Sequence, residues 1–180
     1  MESDNIQDWP NLKRYEDENL SLGHPQKDEK RVVFMGDSIT EEWSRLYPNY
    51  FEERSYINRG IGGQTSPQML IRFKQDVVDL KPAVVVILAG TNDIAGNTGP
   101  SNVKMITDNI FSMANIATAH GIQVVLSSVL PVYLYEWSPE IVDPPSTIDA
   151  VNELLKEHAA SNGIEYLDYF SKMVDLSLIH

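Results

Sequence analysis

The sequence predicts an α/β fold, in which helices cover both faces of a five-stranded parallel sheet. Short apolar segments alternate along the chain with longer segments that carry apolar residues at helical spacing. Residues 83–89 are continuously apolar and rich in β-branched side chains, a pattern typical of a strand buried on both faces. Strands that alternate with helices form right-handed crossover units, and such units build a parallel sheet.

The first 30 residues are polar and are predicted to form one amphipathic helix, at about residues 11–19, followed by a connector. The apolar residues expected to pack this segment on the main body are Trp9, Leu12, Tyr15, Leu20 and Leu22. Residues 31–180 are predicted to form a single domain, because a chain of 180 residues is long enough for one sizeable core.

Five apolar segments of this domain are predicted as strands, at residues 31–35, 55–58, 83–89, 122–129 and 164–167. The helices between them are recognised by their ends. A helix follows the first strand directly, and Ser66 and Ser101 are interpreted as N-caps of the next two, with Pro67 at a first helical position. Gly121 and Gly163 end the helices before the fourth and fifth strands. A further helix is placed at about residues 147–161, and a last helical turn within residues 168–176.

Two longer segments are predicted to be loops, residues 90–100 and residues 131–145. The second contains Tyr133, Tyr135 and Trp137. These aromatic residues have two interpretations: they pack over the end of the sheet, or they form a wall of a binding site. The second interpretation is considered because long ordered loops in compact domains are often functional.

Composition and charge narrow the possible functions. The chain has 14 basic and 26 acidic residues and a formal net charge of -12, whereas a nucleic-acid partner needs a basic surface. The absence of cysteine excludes disulfides, thiolate catalysis and cysteine-bound zinc. No apolar signal-peptide core is found, and the longest apolar run is too short to span a membrane. As it stands the sequence predicts a cytoplasmic protein, or a periplasmic or secreted one if this is a mature or trimmed form.

Ser38 lies where the first predicted strand ends, in the segment Gly36-Asp37-Ser38. Ligands of open α/β sheets bind at the carboxyl ends of the strands. A serine at this position has two interpretations, an N-cap of the next helix or a nucleophile. A nucleophilic serine needs a base to activate it and hydrogen-bond donors to stabilise the oxyanion.

Candidate donors follow the second and third strands. The segment Gly60-Ile61-Gly62-Gly63 allows a tight turn that points amide hydrogens into a cleft. A dinucleotide-binding loop is the rival interpretation, but Thr65 stands where the third glycine of that fingerprint belongs. Asn92, in Gly90-Thr91-Asn92-Asp93, places a side-chain amide at the next strand end, although asparagine is also common in turns.

Together these segments resemble the SGNH (GDSL-type) esterase and lipase superfamily, in particular a bacterial acylhydrolase branch of it. Gly36-Asp37-Ser38, the glycine loop that ends at Gly63 and the segment around Asn92 match the first three signature blocks in the family's order. The resemblance implies a flavodoxin-like three-layer α/β/α sandwich. It also implies that Ser38 is the nucleophile, and that the backbone amides of Ser38 and Gly63 with the side-chain amide of Asn92 form the oxyanion hole. No metal and no cofactor are implied.

The family's fourth block, Asp-x-x-His near the carboxyl end, has no match. The histidine of that block is the family's general base. The histidines of this chain are His24, His120, His158 and His180, and none has an aspartate three residues before it. His180 has the right chain order, but Asp175 precedes it by five residues. We therefore expect that a C-terminal segment with this block and the last helix is missing, which would leave an apolar surface that favours self-association.

The resemblance predicts a serine esterase or acylhydrolase that cleaves a small carboxylic ester through an acyl-enzyme. The ester would carry a short acyl or acetyl group, on a carbohydrate or a lipid. The alternative is a non-catalytic remnant that keeps the oxyanion pocket and binds small ligands, and the missing base favours it. A nucleotide-binding protein of the same fold would need a phosphate-binding fingerprint, which the sequence lacks.

Overall fold

The structure is a computed structural model that describes residues 8–52 and 54–174, and a parallel sheet lies at its centre. The strands are β1 (Val32–Gly36), β2 (Tyr56–Gly60), β3 (Val84–Ile87), β4 (Gln123–Ser127) and β5 (Glu165–Leu167). They form a five-stranded sheet in the order β2-β1-β3-β4-β5, and every pairing is parallel. This topology confirms the predicted α/β fold and brings the carboxyl ends of β2, β1 and β3 next to one another.

Helices pack on both faces of the sheet. One layer consists of α4 (Ser66–Asp76), α6 (Val103–Ala119) and α7 (Pro144–Asn162). The other face carries α2 (Ser38–Leu46) and α3 (Pro48–Glu52), which contact β1 and β2. The shorter helices are α1 (Glu16–Leu22), α5 (Thr91–Ile94) and α8 (Phe170–Met173), and 3-10 turns lie at Leu12–Tyr15 and Val78–Leu80.

Side chains of β1 alternate between the two faces, as the pleat of a strand requires. Val33 and Met35 are fully buried in the main core, between the sheet and the layer of α4, α6 and α7. Phe34 points to the opposite face, where its ring packs edge-on against Trp43 and Phe51 at centroid distances of 5.6 and 5.5 Å. Both faces of β1 are therefore covered, and this packing fixes the position of its carboxyl end.

Three helix starts differ from the predictions, each because of local hydrogen bonds. Thr65 rather than Ser66 caps α4, through a capping box with Gln68. Asn102 rather than Ser101 caps α6, since its side chain accepts from the amide of Met105. The third, α7, begins at Pro144 instead of residue 147, because the Asp143 side chain caps its first turn. The true cap thus lies one residue before Ser66 in α4 and one residue after Ser101 in α6.

The predicted loop at residues 90–100 also contains structure, since its first part forms the helical turn α5. The N-terminal helix is shifted from its predicted place, because the Asp8 carboxylate accepts from the amides of Leu12 and Lys13 and starts a 3-10 turn there. Tyr15 is buried as predicted, whereas Leu20 is 77% exposed and does not pack on the body.

Residues 175–176, the end of the last predicted turn, lie outside the described residues. Within the described ranges, no helix is both long and apolar enough to cross a membrane. The predicted self-association stays a prediction, and so does the boundary at residue 30.

Candidate active site

Ser38 is the first residue of α2 and is exposed at the carboxyl end of β1. Asp37 is the cap of this helix, because its carboxylate accepts from the amide of Ile39 at 2.9 Å. The interpretation of Ser38 as the N-cap is therefore wrong. The backbone N–H of Ser38 has no acceptor within the described part of the chain, so this helix end offers a free donor beside an exposed hydroxyl.

Two glycines allow α2 to start this close to the sheet. A Cβ atom on Gly60 would lie 2.2 Å from the backbone nitrogen of Glu41 and 2.7 Å from the carbonyl oxygen of Asp37. A Cβ atom on Gly36 would lie 2.1 Å from Oγ1 of Thr40. Neither position has room for a side chain, so the glycines at the ends of β1 and β2 are needed for close packing.

The glycine loop after β2 lies directly beside Ser38. The amide of Gly62 donates to Oε2 of Glu41 at 2.8 Å, and a Cβ atom on Gly62 would lie 3.7 Å from Cβ of Ser38. Gly63 has φ of 74°, the left-handed conformation that glycine adopts without strain. Its N–H has no acceptor among residues 8–52 and 54–174, and the residue is exposed. The loop thus offers a second free donor.

Asn92 lies in the turn α5 after β3 and is 4% exposed. Its Nδ2 donates to the carbonyl oxygen of Gln64 at 3.0 Å. A primary amide has two hydrogens, so one remains for a ligand. The structure therefore brings the three predicted site residues, Ser38, Gly63 and Asn92, to one edge of the sheet.

Two buried carboxyl groups support these loops. Asp93 accepts from the amide of Ser66 at 2.9 Å and from its hydroxyl at 2.6 Å, which fastens the loop after β3 to the start of α4. Burial raises the pKa of the Asp93 carboxyl above its ordinary value. Burial, with a smaller contribution from the charge of Asp93, raises the pKa of Asp37 from 3.8 to about 6.

A fully buried arginine connects the glycine loop with β1, the strand that ends just before Ser38. Arg72 donates to the carbonyl of Gly36 at 3.1 Å, to Oε1 of Gln64 at 2.6 Å and to Asp76 at 3.0 Å. The sequence reasoning missed this residue. The available signal was an Arg and an Asp at i, i+4 on the face of α4 that is otherwise apolar.

Glutamine side chains hold the N-terminal segment against α4 and the glycine loop. The Nε2 groups of Gln64 and Gln68 donate to the carbonyls of Pro10 and Trp9, each at 2.7 Å. Since Gln64 follows Gly63 directly, the N-terminal segment supports the loop that carries a candidate donor.

The described histidines lie away from the serine. His24 and His120 line a surface cleft at the opposite end of the sheet, before β3 and β4 begin. His158 stacks on Phe111 between α6 and α7, with ring centroids 3.8 Å apart. His180 lies outside the described residues. Among the residues that the structure describes, no group of three His, Asp or Glu side chains is arranged to hold a metal ion.

Fold and candidate site together define a class of protein: an α/β/α sandwich with a serine at the end of its first strand and amide donors at the ends of the next two. The sequence pattern of the GDSL-like lipase/acylhydrolase family matches residues 34–178. The chain therefore belongs to this family of carboxylic ester hydrolases, which confirms the resemblance.

Two solved structures from Bacteroides are similar over most of the chain. A GDSL-like lipase from Bacteroides thetaiotaomicron is 49% identical with a TM-score of 0.91, and the match covers 93% of this chain and 82% of that one. A protein from Bacteroides fragilis is 50% identical with a TM-score of 0.92, over 94% of this chain and 81% of its own.

Two curated relatives match shorter segments. The esterase TesA of Pseudomonas aeruginosa is 30% identical in an alignment over 110 residues that covers 54% of this chain and 53% of the esterase. The uncharacterized lipoprotein YqeF of Bacillus subtilis is 31% identical in an alignment over 118 residues that covers 56% of this chain and 49% of the lipoprotein. The chain thus spans about half the length of the curated relatives it matches.

Proposed function

We propose that the protein is a serine esterase or acylhydrolase that cleaves a small carboxylic ester through an acyl-enzyme on Ser38. One observation carries the proposal. Three amide groups, the backbone N–H of Ser38 and of Gly63 and the Nδ2 of Asn92, lie at one edge of the sheet, and each keeps a hydrogen without an acceptor in the described residues. Unpaired donors around an exposed serine hydroxyl suit a developing oxyanion.

The reaction has two halves. The Ser38 oxygen attacks the ester carbonyl carbon, the hydroxyl proton goes to a base, and the carbonyl oxygen becomes an oxyanion held by the three donors. The bond to the alcohol then breaks, and the alcohol leaves with the proton. Water attacks the acyl-serine in the same way and releases the carboxylic acid and free Ser38. The amino end of α2 adds a positive dipole end beside the oxyanion.

The general base is not among the described histidines, because His24, His120 and His158 lie away from the serine. His180 is the other histidine of the chain and follows Ser38 in the order that the family uses. If the described residues act without a further base, we propose that ester hydrolysis is slow. Loss of one member of a serine triad removes most of the rate, while the oxyanion donors keep a remainder.

We propose that the substrate is an ester with a short acyl or acetyl group on a carbohydrate or a lipid. Ser38 and Gly63 are both exposed, and Ile39 beside them is 39% exposed, so the site is open to the surface. An open site leaves room for a carbohydrate or lipid alcohol outside the oxyanion pocket.

Binding without turnover is the second candidate function, and the placement of the described histidines favours it. Hydrolysis of p-nitrophenyl acetate by the protein and by Ser38→Ala separates the two candidate functions. The assay is run at a series of concentrations of imidazole, which serves as an external base. The esterase proposal expects a rate that depends on Ser38 and rises with imidazole more steeply than in Ser38→Ala. Equal rates for the two proteins at every imidazole concentration would overturn it and favour the binding function.

A further inference from the structure

Asn97 joins both loop donors of the site to the long loop after β4. Its Nδ2 donates to the carbonyl of Gly63 at 3.1 Å and to Oδ1 of Asn92 at 3.0 Å. Its Oδ1 accepts from the indole Nε1 of Trp137 at 3.1 Å. Its backbone amide also donates to the carbonyl of Asn92 at 3.0 Å.

These contacts fix the peptide that presents the Gly63 N–H. That peptide lies between Gly62 and Gly63. On one side, the amide of Gly62 is held by Glu41 at 2.8 Å. On the other side, the carbonyl of Gly63 is held by Asn97. A glycine pair is flexible, so two anchors are needed to keep the N–H pointing in one direction.

The same side chain fixes the orientation of the Asn92 amide. An asparagine amide has a donor end and an acceptor end that are nearly equal in shape. Because Asn97 donates to Oδ1 of Asn92, the Nδ2 of Asn92 faces Gln64 and the site. Trp137 orients Asn97 in turn, since an indole N–H can only donate and therefore selects the oxygen of Asn97.

The aromatic residues of the loop have different tasks. Tyr135 is fully buried and its hydroxyl pairs with Oγ1 of Thr91 at 3.0 Å, so it anchors the loop. Trp137 is 62% exposed, and its ring lies 5.2 Å from that of Tyr135. Tyr133 is 88% exposed and is not part of these contacts. The packing interpretation thus applies to Tyr135. The interpretation of these residues as a wall of a binding site stays a prediction.

We propose that Asn97 is a positioning residue for the oxyanion donors and that Trp137 acts on the site through it. The three residues form a directed chain, in which Trp137 donates to Asn97, Asn97 donates to Asn92, and Asn92 donates to the oxyanion. Hydrogen bonds in such a chain polarise and strengthen one another. The inference rests on the proposed esterase function, because it assigns these residues to the same site.

A double-mutant cycle, with kcat as the measured quantity, tests this chain of hydrogen bonds. Trp137→Phe keeps an aromatic ring and removes the N–H, and Asn97→Ala removes the link. With p-nitrophenyl acetate, we expect kcat to fall about 3-fold in Trp137→Phe and at least about 10-fold in Asn97→Ala, with KM within about 2-fold. The double variant should be no slower than Asn97→Ala alone, because the indole acts only through Asn97. Tyr133→Phe is the matched control and should match the unaltered protein.

A second readout needs no activity. Hydrogen exchange of the Asn92 side-chain amide, followed by NMR, should be faster in Trp137→Phe and in Asn97→Ala, with no further gain in the double variant. The backbone amides of Val33 and Met35 in β1 should exchange as before, which excludes general destabilisation. Unchanged exchange at Asn92, or independent effects of the two substitutions, would overturn the inference. If exchange at Asn92 changes as expected but no Ser38-dependent hydrolysis is found, the result would count against the esterase function. The hydrogen bonds from Trp137 through Asn97 to Asn92 would then still be established.

Discussion

The side-chain amide of Asn92 and the carbonyl of Gln64 form a hydrogen bond of 3.0 Å that ties the loop after β3 to the glycine loop after β2. Asn92 is 4% exposed, so this bond is shielded from water. The same nitrogen carries the hydrogen that is left for an oxyanion. Asn92 therefore has a structural and a proposed chemical role at once, and a test must separate them.

Asn92→Ala is expected to lower the kcat of Ser38-dependent ester hydrolysis by about 100- to 1000-fold, because one oxyanion donor is lost. Asn92→Asp should be at least as slow, since a carboxylate repels the oxyanion. Steady-state kinetics with p-nitrophenyl acetate measure both, and thermal unfolding shows whether each variant is folded. A loss below about 10-fold in folded Asn92→Ala would contradict its assigned role.

Asp37→Asn is expected to stabilise the protein at neutral pH. The pKa of Asp37 is raised from 3.8 to about 6 by burial, so the folded protein binds more protons than the unfolded chain between about pH 4 and pH 6. Stability due to this group is therefore lost as the pH rises through that window, by up to ~3 kcal/mol at about 1.4 kcal/mol per pH unit. Asparagine does not titrate, and its oxygen can still accept from Ile39.

Urea unfolding of both proteins from pH 3.5 to pH 8 checks this expectation. The free energy of unfolding of the variant should rise relative to that of the unaltered protein as the pH increases to about 6. The difference between the two should vanish near pH 4. A difference that is constant with pH would mean that Asp37 does not titrate in this window.

Gly60→Ala is expected to destabilise the fold and displace the start of α2. Its Cβ would meet backbone atoms of Glu41 and Asp37 at 2.2 and 2.7 Å, which no rotamer change relieves. A loss of about 1–3 kcal/mol follows from overpacking of this kind. Gly62→Ala is the comparison, because its Cβ would meet the end of the flexible Glu41 side chain at 3.0 Å and Cβ of Ser38 at 3.7 Å, an ordinary contact distance. Equal urea midpoints for the two variants would refute the packing argument.

Arg72→Met is expected to cost about 3–5 kcal/mol of stability, because it leaves the buried carboxylate of Asp76 without its cation. The double variant Arg72→Met with Asp76→Leu should recover part of the loss, since it removes the uncompensated charge. Urea denaturation of the two variants provides the measurement. If the double variant were less stable than Arg72→Met, the loss would come from the bonds of Arg72 to Gly36 and Gln64 instead.

The sheet was predictable because burial on both faces leaves a local signal in the sequence, as in residues 83–89. The caps were not, because Ser66 and Ser101 use their hydroxyls on Asp93, and no local pattern shows that contact. Ser38, Gly63 and Asn92 could be placed at one edge of the sheet because each follows a strand end, whereas their roles were inferred from the family resemblance. Asn97 could not be predicted, because its bonds to Gly63 and Trp137 join residues 34 and 40 positions apart.

The proposed function depends on Ser38 as a nucleophile with an oxyanion site around it. Covalent labelling by a fluorophosphonate tests this most directly, because the tetrahedral phosphonyl group needs both the serine oxygen and the donors. Mass spectrometry of the digested protein locates the label. We predict one label, on Ser38, that is lost in Ser38→Ala and formed at least about 10-fold more slowly in Asn92→Ala. No label on Ser38, or a rate that Asn92→Ala leaves unchanged, would contradict it.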